Sequence, residues 1–158
     1  MAICVSASRQ AAVGMRGGDF VFLMVAPWSL RFQQEILHSF DNVSERLRLG
    51  NVGAIPLNLI AKQYEVYRDQ PYYWPMLHDF EGKPAIVAVY HGDLAKILEL
   101  KGQIRQRFAP QIGVGNGYRR DAIHTTVDRN EFNREVHIWR RYFNKGGPQR
   151  EDPLVALI

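Results

Sequence analysis

Residues Arg119–Tyr142 read RRDAIHTTVDRNEFNREVHIWRRY. Asp128 stands where a helix N-cap belongs, and Glu131 three residues on completes a capping-box pattern. Both side chains can engage backbone N–H groups that a first helical turn leaves unpaired. Phe132, Val136, Trp139 and Phe143 then recur at i, i+4, i+7 and i+11, an apolar stripe on one helix face. Glu135 lies within that helix, and His124 precedes it in what reads as a loop. A carboxylate one or two turns into a helix can accept from one imidazole nitrogen of such a histidine. The bond fixes the tautomer and leaves the other nitrogen free to act. His124 and Glu135 are therefore the candidate catalytic pair.

Outward from this stretch the pattern alternates strand and helix. Phe20–Val25 is a continuous apolar run that suits a buried strand, ended by Pro27. Ser29 is placed to cap a helix from Leu30 to Phe40, whose Phe32, Ile36 and Phe40 are spaced by fours. Arg46–Ile55 reads as a second strand, with Gly50 and Gly53 suggesting a bulge or turn. Asn58–Tyr67 reads as a helix broken by Pro71, and Tyr72–Phe80 as a short aromatic helix. Ala85–Tyr90 is the strongest strand signal, and Gly92-Asp93 starts a helix carrying Leu94, Ile97 and Leu98. From Lys101 to Tyr118 the pattern dissolves, and Gly113, Gly115 and Gly117 mark a loop or weak strand. No good strand precedes these glycines, so they are not a phosphate-binding loop. Lys145-Gly146-Gly147-Pro148 ends the last helix.

This order predicts an α+β sandwich: one mostly antiparallel sheet with helices on a face. Residues 1–18 read as a loose tail, 19–144 as one domain, and 145–158 as a C-terminal arm, packed on its own domain or on a neighbouring subunit.

The 158 residues suffice for one domain with a real core. The net charge of +4 suits an anionic partner, nucleotide phosphates or nucleic acid, or is simply solvated surface. A single cysteine, Cys4, excludes an internal disulfide and a cysteine-based metal cluster, and fits a cytoplasmic setting. No apolar run approaches the ~20 residues of a membrane span, and no secretory signal pattern is present, so no membrane partner is expected. His38, His78, His91 and His137 lack metal-ligand spacing, and no protein-bound metal is expected.

Arg120-Asp121-Ala122-Ile123-His124, with Glu135 and Trp139 at their intervals, resembles the active-site segment of nucleoside diphosphate kinases. Gln63-Tyr64-Glu65-Val66-Tyr67-Arg68-Asp69-Gln70-Pro71-Tyr72-Tyr73 resembles that family's Tyr…Asp-x-Pro-aromatic-aromatic segment, and Pro84–Gly92 its following strand. The resemblance covers roughly Phe20 to Tyr142. It implies a ferredoxin-like α/β sandwich with a mostly antiparallel four-stranded sheet, assembled as a homo-oligomer. It further implies that His124 attacks the terminal phosphate of a nucleoside triphosphate, carries the phosphoryl group and passes it to a diphosphate, with magnesium arriving on the nucleotide. Glu135 would orient the ring, with Thr126 in place of the usual serine near the pair. Tyr64 would line the phosphate end of the pocket, Tyr72 would stack on the base, and Met76 would act as an apolar clamp. Arg105, in Ile104-Arg105-Gln106-Arg107-Phe108, would grip phosphate, and Asp121 would meet the ribose.

The chain departs from the family pattern at three places. Ala26-Pro27-Trp28-Ser29 stands where the family has Lys-Pro-Asp-Gly, so a phosphate- and ribose-binding lysine is absent. Losing one charge-assisted hydrogen bond costs about 1.5–3 kcal/mol. Asp121 replaces an asparagine, and the stretch between Asp93 and His124 is shorter, leaving Lys101 and Arg107 as stand-ins for absent phosphate ligands. Three functions follow: a divergent phosphotransferase, the same site doing acid–base chemistry on a specialised nucleotide or phosphorylated metabolite, or a non-catalytic nucleotide-binding module. Nucleic-acid binding rests on charge and aromatics alone and is not the expectation.

Overall fold

The computed structural model describes residues 18–145. Residues 1–17 and 146–158, which hold nearly all of the expected tail and arm, lie outside the described residues. Four strands, β1 (Asp19–Val25), β2 (Ser44–Val52), β3 (Ala85–Gly92) and β4 (Ile123–Thr125), form one antiparallel sheet in the order β2-β3-β1-β4. Five α-helices connect or follow them: α1 (Gln33–Val43), α2 (Leu57–Gln63), α3 (Tyr73–Phe80), α4 (Leu94–Ile112) and α5 (Arg129–Lys145).

The two central strands are apolar at consecutive positions, and this dictates the layering. In β1, Phe22 and Met24 face one core with Val87 and Val89 of β3, and Val21, Leu23 and Val25 face another with Ile86, Ala88 and Tyr90. Side chains alternate along a strand, so a strand apolar at every position needs cover on both faces. Helices α2, α3 and α5 cover the first face through Ile60, Leu77, Phe80, Val136 and Trp139. Helices α1 and α4 cover the second through Ile36, Phe40, Ile97, Ile104 and Phe108. The expectation of helices on one face is thus corrected to a helix layer on each. Burying each such side chain contributes about 1.5–3 kcal/mol.

The capping reading of α5 holds, since the Glu131 amide donates to Asp128 Oδ1 at 2.7 Å. All four stripe residues, Phe132, Val136, Trp139 and Phe143, are buried. Ser29 does not cap α1. The chain from Pro27 to Phe32 is a 3-10 turn, and the buried Ser29 hydroxyl donates to the carbonyls of Ala26 and Ala122. The irregularity in β2 falls between Arg46 and Arg48, whereas Gly50 pairs regularly with Val87. The helix read over Asn58–Tyr67 ends at Gln63 and gives way to a 3-10 turn at Glu65–Tyr67.

The largest difference is α4. The pattern that dissolves at Lys101 in sequence is helical to Ile112, because Ile97, Ile104, Phe108 and Ile112 keep a sparse stripe on the core. Asp93 caps it by accepting from the amides of Ala95 and Lys96 at 3.0 and 3.4 Å. Pro110 sits in the last turn, and Gly113 with φ 72° ends the helix. Among the described residues no helix is long and apolar enough to cross a membrane.

Candidate functional site

β4 is an edge strand, and His124 is its middle residue, opposite Met24 of β1. It is therefore not a loop residue, and the sheet fixes its backbone. Helix α5 starts a few residues later and folds back across β1, which brings Glu135 under the ring. His124 Nε2 lies 2.5 Å from Glu135 Oε1. Glu135 is wholly buried, and the His124 side chain keeps 17 % of its surface exposed. A carboxylate only accepts, so Nε2 carries the proton and Nδ1 holds the free lone pair. Nδ1 has no hydrogen-bond partner among the described residues.

A residue that sequence reasoning missed holds this pair. Gln63, buried at the end of α2, donates from Nε2 to Glu135 Oε1 and accepts at Oε1 from the Trp139 indole at 2.9 Å. An indole N–H only donates, which sets the orientation of the amide. Nothing in sequence spacing connects positions 63 and 135, so only the fold reveals the bridge.

Tyr64 meets the ring of His124 edge-on at 5.7 Å and stacks on Phe80 at 5.5 Å. Burial first, then the charge of Glu135, pushes its phenol well above the ordinary range, so it stays a neutral hydroxyl. Ligand atoms of His124, Glu131 and Glu135 lie within 4.8 Å of one another. Burial, then the charge of Glu135, pushes the Glu131 carboxyl above its usual range. Glu135 Oε1 already receives donors from His124 and Gln63, which makes this a hydrogen-bonded group.

The cations come from α4. Arg105 Nε donates to Ile123 O at 3.0 Å, and Lys101 Nζ donates to Thr125 O at 3.1 Å. Asp121 lies 3.7 Å from both Arg105 Nη1 and Arg119 Nη2, so its charge is shared between two guanidiniums. Arg107 pairs instead with Glu35 of α1 on the surface and is not a stand-in at this site. The Thr126 hydroxyl accepts from the Phe22 amide at 2.9 Å, so it ties the end of β4 to β1 rather than joining the His124–Glu135 pair. Ala26, where the family has its lysine, is 2 % exposed and donates its N–H to Ala122 O.

Tyr72 is half-buried, its ring at 28° to that of Tyr118 with centroids 6.5 Å apart. Met76 is packed in the core with 7 % of its surface exposed. Tyr118 belongs to the connection from α4 to β4, which Asp79 of α3 anchors. Arg120 makes a two-pronged pair with Asp79, Nε to Oδ2 at 2.9 Å and Nη2 to Oδ1 at 3.0 Å, and the Tyr118 hydroxyl also donates to it. Burial raises the Asp79 carboxyl, but the hydrogen bonds from Arg120, Tyr118 and Lys83 outweigh it and hold the group at about 2. The Tyr118 ring packs directly on Gly115, where a Cβ would fall 1.9 Å from it. Two cavities open nearby. One of about 470 Å³ lies against α2 and α5 beside Leu59, Lys62 and Tyr142, the other of about 450 Å³ beside Glu65, Glu131 and Arg134. Neither is lined by His124.

By sequence the chain matches no known family profile and no curated protein. By structure it is similar to the nucleoside diphosphate kinase of Aquifex aeolicus, with TM-score 0.64 and 17 % identity over 77 % of this chain and 94 % of that one. A nucleoside diphosphate kinase family protein from Babesia bovis follows, with TM-score 0.60 and 15 % identity over 77 % and 87 %. The nucleoside diphosphate kinase of Borrelia burgdorferi, solved with bound vanadate and ADP, gives TM-score 0.59 and 13 % identity over 85 % and 94 %. At these identities the likeness is one of fold: the chain has the ferredoxin-type architecture of the nucleoside diphosphate kinases.

Proposed function

We propose that the protein is a divergent nucleoside diphosphate kinase-like phosphotransferase working through His124. The observation that carries this reading is the buried Glu135 at 2.5 Å from Nε2, with Nδ1 unpartnered on a part-exposed ring. The Nδ1 lone pair attacks the terminal phosphorus of a nucleoside triphosphate. The bond from that phosphorus to its bridging oxygen breaks, and the bond's electrons leave with the diphosphate. The imidazolium formed keeps its Nε2 proton against Glu135, whose charge stabilises it. A diphosphate oxygen then attacks the phosphohistidine and regenerates the neutral ring. Magnesium would enter with the nucleotide as part of the substrate and supply charge that offsets its phosphates.

Arg105 supplies charge near the phosphates, and the Tyr64 hydroxyl, kept neutral, donates to a phosphate oxygen. The base stacks on Tyr72, with the near-parallel Tyr118 close by and the core-packed Met76 behind. Asp121 accepts from a ribose hydroxyl, its repulsion of phosphate reduced by Arg105 and Arg119. The protein acts as a homo-oligomer in the cytoplasm, without membrane or nucleic-acid partners. The buried alanine at position 26 supports a second reading, a nucleotide-binding module without transfer.

Incubation with γ-labelled ATP and magnesium separates the two. Base-stable, acid-labile label should appear on the wild type, be absent from His124→Ala, and pass to an added diphosphate. ATP binding with no label on the wild type would leave the module, or acid–base chemistry at the same site.

A further inference from the structure

Helix α5 carries two parallel rows outside its core stripe. Ile138 and Tyr142 lie one turn apart, and so do His137 and Arg141 beside them. The first row is half-buried, with the Tyr142 ring edge-on to Trp139 and Phe143 at 6.2 and 5.2 Å, whereas His137 and Arg141 are exposed. Across from them α2 turns Leu59 and Lys62 to the same gap, again one turn apart. That gap is the cavity of about 470 Å³, a size within the range of small-ligand sites. Leu59, Ile138 and Tyr142 give it an apolar floor, and Lys62, His137 and Arg141 a basic rim. Among the described residues no carboxylate lines it.

We propose that this groove is a second binding site, for a small amphipathic anion: a carboxylate carried on an apolar body. The inference goes beyond the nucleotide reading and does not rest on it, because His124 lines no part of the cavity. Among the described residues the Lys62 ammonium and the Arg141 guanidinium have no hydrogen-bond or ion-pair partner. Like charges thus border one groove without a counter-charge. A carboxylate between them supplies it, and the planar fork of Arg141 can take both of its oxygens. An inorganic anion would meet the rim and leave the floor wet, and a neutral hydrocarbon would do the reverse. Only a molecule with one anionic end uses both halves. The groove also spans the joint that holds Glu135. Lys62 precedes Gln63, and His137 and Ile138 stand between Glu135 and Trp139, the partners of the Gln63 amide. A ligand across α2 and α5 therefore binds the packed pair of helices and stabilises the folded chain.

The test uses the full chain, with anilinonaphthalene sulfonate as a fluorescent anionic reporter and octanoate, octanol and ATP as competitors. Octanoate should displace the reporter at least about tenfold more tightly than octanol, ATP should not displace it, and octanoate should raise the urea midpoint. The double variant Lys62→Glu, Arg141→Glu, verified as folded by its urea transition, should weaken octanoate at least about tenfold and leave octanol within about twofold. The variant Arg68→Glu, Lys96→Glu makes the same change of net charge at exposed positions outside the groove and should leave octanoate within about twofold. Equal loss in the two variants would reduce the effect to net charge and overturn the proposal. Displacement by ATP would put the reporter in the nucleotide site, and equal affinity for octanoate and octanol would leave only an apolar patch. Either result overturns it. So does a wild type that binds neither reporter nor octanoate, as it would with the groove covered by a second copy or by residues 146–158.

Discussion

Replacing Gln63 with leucine tests whether the core and the site share one hydrogen-bond chain. Gln63 is 2 % exposed, and leucine nearly fills its volume, so the loss is one of hydrogen bonds. The Trp139 indole N–H, fully buried, loses its acceptor, at a cost of about 1–3 kcal/mol. Glu135 Oε1 loses one of two donors, costing roughly 1.5–3 kcal/mol for a charged acceptor. Burying a methyl pair in place of an amide returns part of this, so a net loss of about 2–4 kcal/mol is expected. With a urea slope of about 2 kcal/mol/M, the midpoint should drop by roughly 1–2 M at unchanged slope. The same substitution in a Trp139→Phe background should cost at least about 0.5–1 kcal/mol less, since the shared bond is already gone. A loss under ~0.5 kcal/mol, or strict additivity of the pair, would refute the bridge from α2 through Glu135 to His124.

Three further outcomes follow from the same geometry. Asp79 titrates near 2 folded and near ~3.9 unfolded, so its contribution to stability is present above pH ~4 and is lost as pH falls toward 2. Asp79→Asn should flatten the urea midpoint against pH across that window, and an unchanged slope would contradict the anchor. Asp128→Ala removes the acceptor for the Glu131 amide and should cost about 0.5–2 kcal/mol, read by chemical denaturation. Ala26→Lys, the obvious repair of the missing lysine, buries an ammonium and should lower the melting temperature without raising phosphotransfer. A tenfold gain in transfer would show that the site at position 26 is open.

The sequence made the helix of the His124 region legible because its signals are local: a cap at Asp128 and a stripe from Phe132 to Phe143. The apolar runs of β1 and β3 were equally plain. Their absence of alternation implies burial on both sides, whereas the order of elements alone points to helices on one face. The second half of α4 is not legible because Pro110 and the glycines after it outweigh a stripe with only four anchors over nineteen residues. A proline in the last turn removes one i→i−4 bond and crowds the preceding turn, a cost that the burial of Phe108 and Ile112 outweighs. Gln63, Asp79 and Tyr118 were illegible for a different reason. Each acts on a partner more than thirty residues away, and their types carry no spacing rule. Lys101 reads in sequence as a stand-in for an absent phosphate ligand; its bond to the Thr125 carbonyl needs the long helix.

Which imidazole nitrogen takes the phosphoryl group tests the central claim most directly. Glu135 holds Nε2 at 2.5 Å, so proton–nitrogen correlation NMR of the phosphorylated, nitrogen-15-labelled protein should place the phosphorus on Nδ1 of His124. Phosphorus on Nε2, or on a different residue, would contradict it.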